Sequence, residues 1–282
     1  MKKLFYLTLA LFVWAACNGT QNNDPWGEVK PGEGPQKSQV LRTLSMQSSK
    51  MNRKMTYSVW LPAEYDESKT YPFFYLLHGY ETNDQNGIFD VCWLDKGNAA
   101  RIADDYQRAG GVPMVIIMPN GLNKFYVADG YEAYFEEELM AKVEADYHCN
   151  GMRAIGGLSM GGYGTIYHAL KYPQKFTYAY PMSAAASMMG YPDPKDFIKL
   201  QSDMSVFPPF TFEVGSNDGT VGYNVGTKSL YQYMISKDIP CEWVEWTTGN
   251  AWGDHIWEFW QACLPNALIK VGESFKVEES FK

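Results

Sequence analysis

Histidine is scarce in this sequence, with four in 282 residues. Any chemistry that needs an imidazole must draw on His78, His148, His168 or His255. Cysteine is nearly as rare, at five, and no two cysteines have C-x-x-C spacing. A zinc site and a thioredoxin-type redox motif therefore have no basis in the spacing, and no metal or other cofactor is called for. Basic residues do not dominate: 24 Lys and Arg face 32 Asp and Glu, for a net charge of −8. That balance argues against nucleic acid and anionic membrane surfaces as partners. No internal repeat and no second domain can be discerned.

What is present is the composition of a globular protein, 46% hydrophobic and 20% charged, with length for one α/β domain and a substantial core. Aromatic content is 16%, including 20 Tyr and 9 Trp. Such rings either fill the core or form exposed platforms for sugars and aromatic acids.

The first residues read as an address. Met1-Lys2-Lys3 is basic, and the apolar run from Leu4 to Ala15 is short for a membrane span. Trp14-Ala15-Ala16-Cys17 has the look of a bacterial lipobox, which predicts a lipoprotein-type signal peptide over 1–17 and lipidation at Cys17. Ordinary signal cleavage near Ala16 is the alternative, and both predict export. Residues 18–37 are rich in Asn, Gly, Pro and Gln. They are expected to form a flexible tether with an r.m.s. span of roughly 25 Å. The folded domain is expected over 38–273, with a charged tail at 274–282. Export permits disulfides, and at least one bridge is expected among Cys92, Cys149, Cys241 and Cys263.

Strand-like runs recur at Val40–Met46, Met55–Leu61, Phe73–Leu77, Met114–Met118, Met152–Ile155, Phe176–Pro181, Phe210–Val214 and Cys241–Trp246. Helical patterns fall at Asn98–Arg108, Tyr131–Tyr147, Gly162–Lys171, Val225–Lys237 and His255–Lys270. The first two strands lack an intervening helix and suggest an antiparallel edge. From Phe73 onward the β-α alternation predicts a mostly parallel sheet of about eight strands with helices on both faces. Ligands of such sheets bind beyond the carboxyl ends of the strands.

One such end carries Gly157-Leu158-Ser159-Met160-Gly161. A serine between a strand end and a helix start lies on a strained turn, flanked by glycines because the elements approach too closely for side chains. Ser159 is the candidate nucleophile and needs a base. His168 lies in the following helix, on the wrong side of the turn, and reads as a surface or satisfied core residue. His148 falls at the opposite edge of the sheet. His78 ends a strand and reads as a structural tie for its loop. His255 follows the last strand in a Gly-rich loop and is the candidate base, unless it only opens a helix beside Asp254.

Asp218, directly after Phe210–Val214, is the candidate for orienting the imidazole. Asp254 is a rival but adjoins His255, and Asp203 has no strand immediately before it. The order Ser…Asp…His is that of the α/β-hydrolase arrangement. An oxyanion would take one backbone N–H from Met160 and a second from Tyr80, which Gly79 lets turn toward the serine. A neutral histidine base predicts activity that falls as acid protonates it.

Several stretches resemble the esterase family related to esterase D, an α/β-hydrolase group that includes feruloyl esterases, acetylxylan esterases and S-formylglutathione hydrolases. They are Val59–Tyr65, Tyr71–Gly79, Glu138-Leu139, Glu144–Tyr147, Arg153–Tyr163, Tyr172–Phe176, Gly215-x-x-Asp218 and Gly253-x-His255-x-Trp257. Together they span roughly residues 50 to 260. The resemblance implies a Ser159–Asp218–His255 triad with an oxyanion hole from Tyr80 and Met160. With the export address, it implies an enzyme that removes feruloyl or acetyl groups from plant cell-wall hemicellulose. An esterified polysaccharide or oligosaccharide is then the partner, with the membrane reached only through a lipid anchor. Tyr80, Phe89, Trp93, Trp252 and Trp257 are candidates for lining an aromatic cleft. Other readings are a small-acyl esterase, a peptidase on the same triad, and a non-catalytic carbohydrate-binding lipoprotein on the same fold.

Overall fold

The computed structural model describes residues 37–82, 87–220, 226–247 and 253–279, with side chains to 276. The signal peptide, Cys17 and nearly all of the tether lie outside the described residues. Eight strands form one sheet: β1 (Gln39–Ser48), β2 (Arg53–Leu61), β3 (Tyr71–Leu77), β4 (Val115–Pro119), β5 (Cys149–Leu158), β6 (Tyr178–Met182), β7 (Phe210–Gly215) and β8 (Cys241–Trp246). Their order is β1-β2-β4-β3-β5-β6-β7-β8. β1 pairs antiparallel with β2, and β2 with β4. Every later pairing is parallel. This is the antiparallel edge and parallel body that the alternation predicts.

The helices are α1 (Cys92–Asp95), α2 (Ala99–Arg108), α3 (Tyr131–Ala133), α4 (Met140–Asp146), α5 (Met160–Lys171), α6 (Pro194–Lys199), α7 (Thr227–Ile235) and α8 (Trp257–Glu279). Every residue of β3 and β4 is buried, because helices cover both faces and leave no solvated side. Phe73, Tyr75, Leu77 and Ile117 join α5 and α7 side chains in one core. Phe74, Leu76, Ile116 and Met118 meet α2 and α8 in the other. The alternation along one strand thus feeds two cores.

Three expectations about the elements change. The strand expected at Met152–Ile155 runs from Cys149 to Leu158, since Gly156 and Gly157 pair with Leu76 and Leu77 instead of opening the turn. The helix expected over Tyr131–Tyr147 contains a π turn at Tyr134–Leu139 between α3 and α4. Glu136 lies in that turn and meets His168 at 2.6 Å. The last helix passes Lys270 and continues to Glu279, with Phe275 buried in the second core.

The four described cysteines form no disulfide, which corrects the expectation of a bridge. Cys92 and Cys263 are buried, and Cys149 and Cys241 open two strands, β5 and β8, that are not neighbours in the sheet. Among the described residues no helix is long and apolar enough to cross a membrane.

Candidate active site

The turn between β5 and α5 is built by close approach. A Cβ on Gly161 would lie 2.4 Å from the Leu77 carbonyl oxygen and 2.6 Å from that of His78. Both contacts are backbone, so no side chain can be accommodated. Ser159 takes φ 53° and ψ −113°, a left-handed backbone that costs a serine on the order of 1–3 kcal/mol. The Ser159 N–H donates to Met182 O at 2.9 Å, and its carbonyl accepts from Tyr163 and Ala185. Those bonds hold the turn against its strain.

His255 reaches Ser159 because two loops cross at glycines. A Cβ on Gly215 would stand 2.0 Å from the Cα of Gly253, which itself has φ 101°. At this crossing the end of β7 and the loop before α8 touch backbone to backbone. Asp218 turns back on Gly215, its N–H donating to that carbonyl at 3.1 Å. Asp218 Oδ1 accepts from the Thr220 N–H at 3.0 Å, and its Oδ2 lies 2.8 Å from His255 Nδ1. His255 Nε2 lies 2.9 Å from Ser159 Oγ. A neutral ring that donates from Nδ1 to the carboxylate presents the Nε2 lone pair to the serine hydroxyl. Asp218 is fully buried, and His255 is 16% exposed.

Of the rival acids, Asp203 caps a short 3-10 turn through Ser205, and the carboxylate that meets His255 Nδ1 is that of Asp218, not of the adjacent Asp254. His168 is buried, with Nδ1 on Glu136 and Nε2 3.0 Å from Tyr126 O. It is a satisfied core residue. His78 is also buried. Its Nδ1 meets Gly79 O at 2.6 Å, and its Nε2 accepts from Gly121 N–H at 2.8 Å. Burial holds its pKa down, to about 4, with a further push from the Lys96 charge. A neutral ring with both nitrogens engaged ties two loops together, as the sequence suggests.

Met160 begins α5, so its N–H is one of the helix's unpaired first-turn donors. Tyr80 follows Gly79 with its side chain 56% exposed. A cleft of about 550 Å³ opens over Ser159 and His255, lined in part by Tyr80, Glu81, Lys96, Trp257 and Gln261. Of the aromatic candidates, Tyr80 and Trp257 face this cleft. Phe89 and Trp93 do not line it. Phe89 is buried against His78. Trp93 donates from Nε1 to Leu77 O at 3.0 Å and meets the Trp257 ring edge-on at 5.3 Å. Both rings therefore support the cleft from behind. Trp252 lies outside the described residues.

Sequence reasoning missed the polar wall and Trp260. Trp260 meets the His255 ring edge-on at 4.9 Å. Glu81 and Lys96 form an ion pair at 2.6 Å, and Gln261 donates to the Lys96 carbonyl at 2.6 Å. Trp257, Trp260 and Gln261 recur at helical spacing after His255, the signal that could have placed them on one face. Among the described residues no group of three or more His, Cys, Asp or Glu side chains is placed to hold a metal ion.

The eight-stranded, mostly parallel sheet and the serine turn at the end of β5 define a class by fold, the α/β-hydrolase fold. The chain belongs to the family described as "Putative esterase", whose match spans residues 48–271. It is 30% identical over 144 residues to esterases from two strains of Mycobacterium tuberculosis, an alignment covering 46% of this chain. The chain spans only 29% of the length of those relatives. It is 25% identical over 242 residues to an acetyl esterase of Caldicellulosiruptor saccharolyticus, covering 72% of this chain and 84% of the relative. A solved ferulic acid esterase has the same fold at TM-score 0.72 and 24% identity, covering 85% of this chain and 99% of that one.

Proposed function

We propose that this protein is an exported serine esterase that removes feruloyl or acetyl groups from plant cell-wall hemicellulose. The observation that carries the reading is the unbroken run Asp218 Oδ2, His255, Ser159 Oγ, with bonds of 2.8 and 2.9 Å, opening into an aromatic-walled cleft. Ser159 Oγ attacks the ester carbonyl while His255 Nε2 takes its proton, and Asp218 stabilises the imidazolium. The N–H groups of Tyr80 and Met160 receive the oxyanion. His255 then protonates the departing alcohol, and water activated by the same ring releases the acid.

Support for the substrate class comes from the cleft wall. Tyr80 and Trp257 offer flat apolar surface to a phenolic or sugar ring. Glu81 and Glu258 outnumber Lys96 among the lining charges, which favours a neutral carrier over an anionic one such as glutathione. The acetyl esterase relative supports a small acyl group as a second reading. Export with a lipid at Cys17 rests on the N-terminal sequence.

The test is hydrolysis of methyl ferulate, p-nitrophenyl acetate and acetylated xylan, with Ser159→Ala as control. Turnover should fall by about 10⁶ in that variant. Activity on acetyl esters alone would move the reading to a deacetylase. A protein silent on all three and unlabelled by a fluorophosphonate would be a binding protein on this fold.

A further inference from the structure

The segment that carries Tyr80 is tied at both ends to a single neighbour, the loop that follows β4. At the near end Tyr126 Oη donates to the His78 carbonyl at 3.1 Å, and the Gly121 N–H donates to the His78 ring. At the far end Asn123 grips Glu81 twice. Its Oδ1 accepts from the Glu81 N–H at 3.0 Å, and its Nδ2 donates to the Glu81 carbonyl at 2.7 Å. Only Gly79 and Tyr80 lie between the two ties. The peptide that ends at the Glu81 N–H begins at the Tyr80 carbonyl, so fixing that N–H fixes the plane beside Tyr80.

We infer that Asn123 is a positioning residue for the oxyanion site, its side-chain amide fixing the peptide after Tyr80 and so, together with the His78 bond to the Gly79 carbonyl before it, confining the direction of the Tyr80 N–H. The inference rests on the esterase reading above. The task asks for one planar head that accepts and donates side by side, which a carboxamide supplies and a carboxylate does not. It also asks for a left-handed backbone, since Asn123 has φ 55°, and asparagine tolerates that better than most residues. Leu122, Phe125, Tyr126 and Asp129 in the same loop share positive φ. Such a run persists only where its surroundings over-determine it. The ties to His78 and Glu81 are part of those surroundings, with His168 on the Tyr126 carbonyl.

The bland alternative is a staple that merely adds stability, and kinetics separates the two. Asn123→Gly keeps the left-handed backbone and removes the grip. Its kcat on p-nitrophenyl acetate should fall about 10- to 100-fold, with KM changed less than about threefold. Affinity for an aryl boronic acid, which forms a tetrahedral adduct on an active serine, should fall by the same factor as kcat/KM. Asn123→Asp keeps the acceptor and loses the donor, and should fall between wild type and Asn123→Gly. A folded Asn123→Gly with wild-type kcat and boronate affinity overturns the assignment. If that variant does not fold, wild-type kcat in Asn123→Asp overturns it instead. A wild-type protein without esterase activity or fluorophosphonate labelling would instead sink the esterase reading itself, and the assignment with it.

Discussion

The Nδ1 of His255 stands 2.8 Å from Oδ2 of Asp218, although 37 residues separate them and their loops meet only where Gly215 crosses Gly253. The contact fixes one tautomer of the imidazole, the one that can accept the serine proton. Replacing Asp218 by Asn should leave the fold intact and lower kcat by about 10⁴, because an amide can donate to Nδ1 and so favour the wrong tautomer. Steady-state hydrolysis of p-nitrophenyl acetate measures this. A loss under tenfold would remove Asp218 from the proposed mechanism.

His78 makes acid stability testable. Its folded value of about 4 lies below the ordinary 6.5, so as pH falls the unfolded chain takes the proton first. Its contribution is intact above pH 6.5, is lost as pH falls toward about 4, and does not change further below that. The total is at most about 3 kcal/mol. Melting temperature should fall as pH is lowered from 6.5 toward about 4. In His78→Gln the slope should be shallower by the His78 share, whatever the variant's absolute stability.

His168 and Glu136 form a buried pair, and Lys175 also reaches Glu136 at 2.5 Å. Burial alone would raise the Glu136 carboxyl, but bonds from His168 and Lys175 outweigh it and hold its pKa below the ordinary value. His168→Ala removes one hydrogen-bond partner and leaves Lys175 on Glu136, and should cost on the order of 1–3 kcal/mol in urea unfolding. Turnover per folded molecule should not change, since His168 is far from Ser159 in role and contact. Lost turnover in the folded variant would contradict a purely structural role for His168.

Gly161→Ala probes the turn itself. The added methyl meets two carbonyl oxygens inside 2.7 Å, so α5 must move away from the end of β3. A cost of about 1–3 kcal/mol is expected. Turnover should also fall, because the same shift displaces Ser159 from His255. Differential scanning calorimetry together with active-serine titration separates the two effects.

Much of this molecule was legible in one dimension. Each of the eight strands overlaps a run that apolar and turn residues mark, most closely in β3 and β4, because a strand buried on both faces must be apolar throughout. The serine turn was legible because its sterics admit only small neighbours, and Asp218 and His255 because they directly follow strands or loops at one edge of the sheet. The π turn was not, since the choice between two hydrogen-bond registers depends on Glu136 finding His168, 32 residues away. Nor were the aromatic roles. Phe89, Trp93 and Trp257 are equivalent as sequence, and only packing decides that the first two back the cleft and the third faces it. Composition, periodicity and the glycine pattern determined the fold and the candidate triad, because each is imposed by local sterics or burial. The tertiary structure decided the cleft wall, the unbridged cysteines and the double grip of Asn123 on Glu81. Those depend on which distant segments meet, and no local pattern encodes that.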